Sequence, residues 1–426
     1  MQKQRVELGN GIEGLFIKNS RFNTTLISCN FFLPLEKNTV AEYALLPFIL
    51  TTCSKKYPDF SKLNYKLNRL YGASLDASTE KYGDYQLLKM TISVINDRYT
   101  LDGESLVKQA AELICGLVFE PSCENGAFLP SDLAREKRKA IEHIRGEYSE
   151  KRVYAKKRLL EEMYKDEPYG LSKCGRIEDV EKITGESLYK AWENMLKTAF
   201  IRFNVVGAEM PSGLFDDITE RFSAVKRENI TNCKISSLTK AAETPNNVIE
   251  NMAVNQGKLV MGFSSEMIGN DENSLPLLVM GDIFGGGPYS RLFSNVREKM
   301  SLCYYCSAST VRQKGLLTVE SGIETVNAEK AEKEILNQLN IIKNGEFSDF
   351  EFESSIKSLC DSFMGYNDSQ TSIDTWYTVK VNNNEVYSPE EIVEKIKLIT
   401  REDVINAAKG IKLHTVYKLL PANTEA

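Results

Sequence analysis

Histidine is almost missing from this chain. Only His143 and His414 occur in 426 residues, so no two imidazoles stand at the spacing of one helix face. A catalytic zinc held by a histidine pair is therefore excluded, and a serine or cysteine triad has little to draw on. Long apolar runs are missing too: stretches such as Tyr43 to Leu50 fall far short of the roughly 20 residues that cross a bilayer. Nothing near the start joins a basic segment to an apolar one, so a cytoplasmic protein away from membranes is expected. There is no basic excess, since 53 Lys and Arg face 59 Asp and Glu for a net charge of -6, which argues against a nucleic-acid partner. Nine scattered cysteines are an odd number and poor material for a disulfide framework, and they suit a reducing compartment. No Gly-x-Ser-x-Gly elbow exists, and Gly285-Gly286-Gly287 is not followed by Gly-Lys-Ser/Thr, which removes a nucleotide loop.

What is present describes an ordinary globular protein of 48.1 kDa, 42% apolar, with mean hydropathy -0.31. The length is too great for one hydrophobic core and suits two domains of about 200 residues each. The halves repeat. Ala-Ser-Thr follows a helix-like segment, ending at Thr79 and again at Thr310, and each is followed by a polar turn and an apolar β-branched run, from Gln86 and from Gly315. Further on, Glu181 to Thr184 matches Lys397 to Thr400, each before a helix-like stretch and a closing strand. Two copies of one α+β unit, each a mixed or antiparallel sheet packed with helices, is the expected fold. The expected domains are 1–228 and 249–426, joined by a polar linker at 229–248. Ser388-Pro389 and Thr400 read as helix caps, with Gly410 as a stop.

Two further features carry less. The helix from Leu133 to about Lys165 holds ten Arg or Lys against four Glu between Arg135 and Arg158; it reads either as a solvated face with i,i+4 pairs or as a basic wall for an acidic partner. Cys303-Tyr-Tyr-Cys306 leads into a strand, where residues three apart point to opposite faces. Its sulfurs are expected to diverge and pack in the core.

The stretch Phe284 to Thr310, FGGGPYSRLFSNVREKMSLCYYCSAST, resembles the second-domain motif of the pitrilysin/insulinase family of zinc peptidases. The resemblance implies that Arg297 and Tyr304 grip a substrate near the scissile bond and that Gly285, Gly286 and Gly287 shape a chamber wall. It also implies a first-domain His-x-x-Glu-His helix, which falls on Ala41 to Leu50. There Ala44, Pro47 and Phe48 stand where the family has its first His, general base and second His, and His143 stands at the third ligand. None of the first three can bind metal or move a proton, so the expectation is a subunit that is not itself an enzyme and carries no cofactor. On this reading it forms a heterodimer with a zinc-bearing homologue, to which it lends an Arg/Tyr half-site for processing a peptide. The alternative is a non-enzymatic scaffold or peptide-binding chamber, like the core subunits of respiratory complexes or serving the maturation of a specific protein. A homodimer is left open for the chain when isolated.

Overall fold

The computed structural model describes residues 2–210, 213–233, 241–269, 272–380 and 386–422. Thirteen strands and fourteen α-helices alternate along them. The first half runs β1 (Gln2–Gly9), β2 (Ile12–Lys18), β3 (Thr24–Pro34), α1 (Val40–Leu50), α2 (Phe60–Arg69), β4 (Ser74–Tyr82), β5 (Tyr85–Ile95) and α3 (Leu106–Phe119). It continues with the short hairpin β6 (Cys123–Glu124) and β7 (Ala127–Phe128), then α4 (Pro130–Ser149), α5 (Lys151–Met163), α6 (Ile177–Lys182), α7 (Gly185–Thr198), β8 (Phe200–Gly207) and α8 (Leu214–Ser223). The second half runs β9 (Asn246–Met252), β10 (Gly257–Ser264), α9 (Leu275–Gly285), a π-helix (Leu292–Lys299), β11 (Cys303–Val311) and β12 (Leu316–Ile323). It closes with α10 (Ala328–Lys343), α11 (Asp349–Met364), α12 (Gln370–Thr378), α13 (Pro389–Lys397), α14 (Arg401–Lys409) and β13 (Lys412–Pro421).

The repeat is explicit in the sheets. With β1 set aside, the order β2-β8-β3-β5-β4 of the first sheet is matched strand for strand by β9-β13-β10-β12-β11 in the second. Each sheet has one parallel pairing, β2 with β8 and β9 with β13. Ala77-Ser78-Thr79 lies on β4 and Ala308-Ser309-Thr310 on β11, both edge strands. The matched threonines Thr184 and Thr400 cap α7 and α14 with the same reciprocal box, which satisfies donors that the first helical turn leaves open. Ser388 boxes α13 in the same way. Apolar on nearly every side, α1 and α9 are the buried central helices of the two copies.

By contact the chain divides into two compact units, and the division is not a single cut. One unit comprises Met1–Arg145, Leu171–Lys234 and Asn367–Asn382; the other comprises Gly146–Gly170, Ile235–Tyr366 and Asn383–Ala426. Of the expected linker, 234–240 lie outside the described residues, and its end already belongs to β9. The polar stretch after Gly207 contains α8, which buries Leu214, Phe215, Ile218 and Phe222 at helical spacing.

Each unit thus takes one helix from the other half of the chain. In the first, α12 lies on the sheet face opposite the main core, over the polar side chains of β3 and β8. Asp374 there accepts hydrogen bonds from Ser28 Oγ at 2.6 Å and Asn204 Nδ2 at 2.7 Å, and it pairs with Lys89. Gln370 donates to the carbonyls of Thr24 and Val206 at 2.7 and 2.8 Å. In the second unit α5 covers the corresponding face, where Ala155 and Leu159 pack with Val260, Tyr417 and Leu419. Gly262 lets α5 approach, because a Cβ there would stand 2.7 Å from Met163 Sδ. Arg152 and Lys156 donate to Glu320 at 2.9 and 2.7 Å, and Arg158 pairs with Glu161, Glu162 and Glu250. Burial pushes the Glu320 carboxyl up, but the Lys156 and Arg152 bonds outweigh it and hold it below the usual range. The C-terminal part of the basic run is therefore spent on ion pairs within its own unit.

Candidate functional site

Two places carry the residues singled out in the sequence, one in each unit. In the first unit α1, β4 and α4 enclose a pocket of about 580 Å³, and Ala44, Phe48 and His143 line it together. Pro47 is buried within α1, its carbonyl accepting from Thr51. Phe48 is 41% exposed and Phe60, also on the wall, 63%, which makes the mouth apolar. Glu136, seven residues before His143, and Lys139 also line the wall. Glu136 is 3% exposed and its Oε1 accepts from Arg135 at 2.9 Å and Lys139 at 3.0 Å. Two protein cations thus neutralise the one buried carboxylate that a divalent ion could have shared. Among the described residues no cluster of three or more His, Cys, Asp or Glu side chains can hold a metal. This donor set does not fit zinc, which needs several imidazole or carboxylate ligands at one point.

The wall formed by β4 has a second property. As the outermost strand of its sheet, it offers unpaired backbone groups along one side. A further cavity of about 590 Å³ opens on its other face, lined by Ser74, Asp76, Ser78, Gln370 and Thr375 among others. An extended peptide added to this edge would alternate its side chains between two depressions.

In the second unit the motif from Phe284 to Thr310 forms a helix end, a π-helix and an edge strand. Gly285 packs against β11 so closely that a Cβ would meet Ala308 N at 2.5 Å; Gly286 and Gly287 follow at the exposed end of α9. The two arginines of the motif part ways. Arg291 is tied down, with Nε donating to Gln338 at 2.9 Å and Nη1 to Glu351 at 3.1 Å. Arg297 keeps 40% of its side chain exposed, with its guanidinium 4.6 Å from the ring of Phe293 and only a loose 3.5 Å approach to Glu298.

Backbone irregularities then accumulate. The π-helix carries Arg297, Ser301 takes the left-handed conformation at φ 50°, and β11 bulges at Tyr304. Cys303 pairs with Ile323 and Tyr305 with Gly322, the next residue on β12, leaving Tyr304 as the extra residue. A bulge on an edge strand re-aims a side chain, and Tyr304 is 58% exposed. Its hydroxyl donates to Glu324 Oε1 at 3.1 Å, and this bond to a carboxylate raises the phenol above its ordinary pKa. Glu324 went unnoticed in the sequence; its signal is that it follows directly on the strand that pairs with the motif. The bulge also overturns the expectation for Cys303 and Cys306. Because it absorbs one residue, the two thiols fall on the same face.

The chain is similar to known proteins along its length. A family model described as "Peptidase M16 inactive domain" matches residues 182–359. The chain is 30% identical over 409 residues to "Probable inactive metalloprotease YmfF" of Bacillus subtilis (strain 168), covering 96% of each. It is 21% identical over 392 residues to "Uncharacterized zinc protease YmxG" of the same organism, covering 90% of each. A crystal structure of a conserved protein from Enterococcus faecalis V583 superposes with a TM-score of 0.93 at 24% identity over the whole of both chains. Among the described residues no helix is long and apolar enough to cross a membrane.

Proposed function

Since the chain belongs to the peptidase M16 family and is an inactive member of it, we propose that it serves as the non-catalytic half of a two-chain peptidase. Its partner would be a zinc-bearing homologue, and its own contribution the pair Arg297 and Tyr304, held out to a peptide. The observation that carries this reading is the contrast between the two units. Where the resemblance would put the family's metal helix, the side chains are alanine, proline and phenylalanine. Where it would put the substrate-gripping pair, Arg297 and Tyr304 are exposed on a π-helix and a bulge, irregular backbone of the kind that collects at functional sites. A guanidinium and a phenol hydroxyl can both donate to a peptide carbonyl as charge develops on its oxygen. The reducing compartment suggested by the free thiols, the cytoplasm, is part of the same proposal.

The test is reconstitution with the zinc-bearing homologue from the same cells. Arg297→Ala and Tyr304→Phe should each slow peptide turnover by the mixed complex by about one to three orders of magnitude, the usual scale for a lost oxyanion donor. Turnover unchanged by both substitutions overturns the half-site. A second reading, peptide binding without hydrolysis, draws support from the open edge of β4 between its two cavities. It predicts that an extended peptide binds this chain alone, with an affinity indifferent to Arg297 and Tyr304.

A further inference from the structure

The bulge that presents Tyr304 brings two thiols together. In a regular strand Cys303 and Cys306 would face opposite ways. Here they pair with Ile323 and Ser321 of β12, positions two apart and so on one face. In that pairing Cys306 stands opposite Ser321, whose hydroxyl donates to the Tyr305 carbonyl at 3.1 Å. Cys303 is partly open to solvent and Cys306 is buried.

The surroundings divide the roles of the pair. The bond from Cys306 brings the Cys303 thiol down to about 7 against the cost of burial, helped by Ser321 and the positive charge of Arg297. The same bond, with burial behind it, raises Cys306 well above the ordinary thiol range. Cys29, Cys53, Cys115, Cys123, Cys233 and Cys360 are all pushed up by burial. A thiolate that forms near neutral pH, open to reagents and on the same strand face as a buried second thiol, is the arrangement of an attacking and a resolving cysteine.

We propose that Cys303 and Cys306 form a reversible dithiol–disulfide site on the edge strand, oxidised by low-molecular-weight disulfides and reset by thiols. The Cys303 thiolate attacks one sulfur of the small disulfide, whose S–S bond breaks; one half stays bonded to Cys303 and the other leaves as a thiolate. Cys306 loses its proton to that thiolate and attacks Cys303 Sγ, which closes the internal disulfide and expels the second half as a thiolate. Two electrons pass from the protein sulfurs to the small disulfide, which ends as one thiol and one thiolate. The ring so closed contains Tyr304, yet the site rests on the two cysteines alone and stands apart from the subunit role proposed above.

The test treats the reduced full-length protein with oxidised glutathione at neutral pH, blocks it with iodoacetamide and maps the peptides by mass spectrometry. An internal Cys303–Cys306 disulfide is expected in the native chain. Cys306→Ser should stop at a glutathione adduct on Cys303, and Cys303→Ser should give neither product. On the unmodified chain, which needs no variant to fold, iodoacetamide should reach Cys303 roughly tenfold faster than the other cysteines at neutral pH. Its rate should rise to half-maximum near the Cys303 pKa of about 7, because only the thiolate reacts. Glutathione appearing first on other cysteines, or both thiols alkylated with no internal disulfide formed, overturns the site.

Discussion

At Tyr304 the hydroxyl has one partner, Glu324, and the carboxylate that accepts from it keeps the phenol protonated at neutral pH. That single proton is held by Glu324, so donation to a carbonyl requires the hydroxyl to turn from the carboxylate, and Tyr304→Phe removes the donor while leaving the ring in place. Arg297 differs from Arg291 six residues earlier only through its surroundings: one guanidinium is consumed by Gln338 and Glu351, the other rests on Phe293. Asp374 is the opposite kind of residue, fully buried and bound by Ser28, Asn204 and Lys89. Removing it leaves the Lys89 ammonium without its counter-charge in a nearly dry site. Asp374→Ala should therefore destabilise the first unit by about 3–5 kcal/mol, read as a lower denaturation midpoint and faster hydrogen exchange of β3 and β8 amides. A loss under about 1 kcal/mol would mean that water replaces the carboxylate.

Among the elements, α5 and α12 matter most, because each completes a sheet built by the other half of the chain. The polar face of β3 and β8 is intelligible only with α12 upon it; a β3 reading Ser28, Cys29, Asn30, Phe31 alternates polar and apolar as if one side met water. A fragment of residues 1–234 therefore lacks a structural part. It should bind a hydrophobic dye and show weak near-UV circular dichroism, and a synthetic peptide of residues 367–382 should restore the aromatic signal. A fragment that folds fully without the peptide would show that α12 is dispensable.

For the whole molecule, the question is what it works with. Among the described residues the edge strands β4 and β11 are each unpaired on the outer side; the first has cavities on both faces, and the second carries Tyr304 and follows the π-helix of Arg297. Among the described residues no donor set holds the zinc that the family's chemistry requires, and on the proposed function the partner chain supplies it. A tagged pull-down at native level should recover, near stoichiometry, a homologue bearing His-x-x-Glu-His. Recovery of this chain alone, or with unrelated proteins, favours peptide binding without hydrolysis.

Much of this was legible in the residues themselves. The repeat, the strands after Gln86 and Gly315, the caps at Ser388 and Thr400 and the scarcity of histidine are local facts, set by periodicity, by hydrogen-bonding donors and by composition. The helix α8 hid in a polar stretch because four buried residues are a weak periodic signal. Three things required tertiary structure. Which sheet a helix covers depends on contacts between segments far apart in the chain, so the exchange of α5 and α12 leaves no local mark. Whether Glu136 is free or neutralised depends on Arg135 and Lys139 turning to it within a folded wall. Whether Cys303 and Cys306 diverge or meet depends on one extra residue in a strand, and that bulge exists only through its pairing with β12.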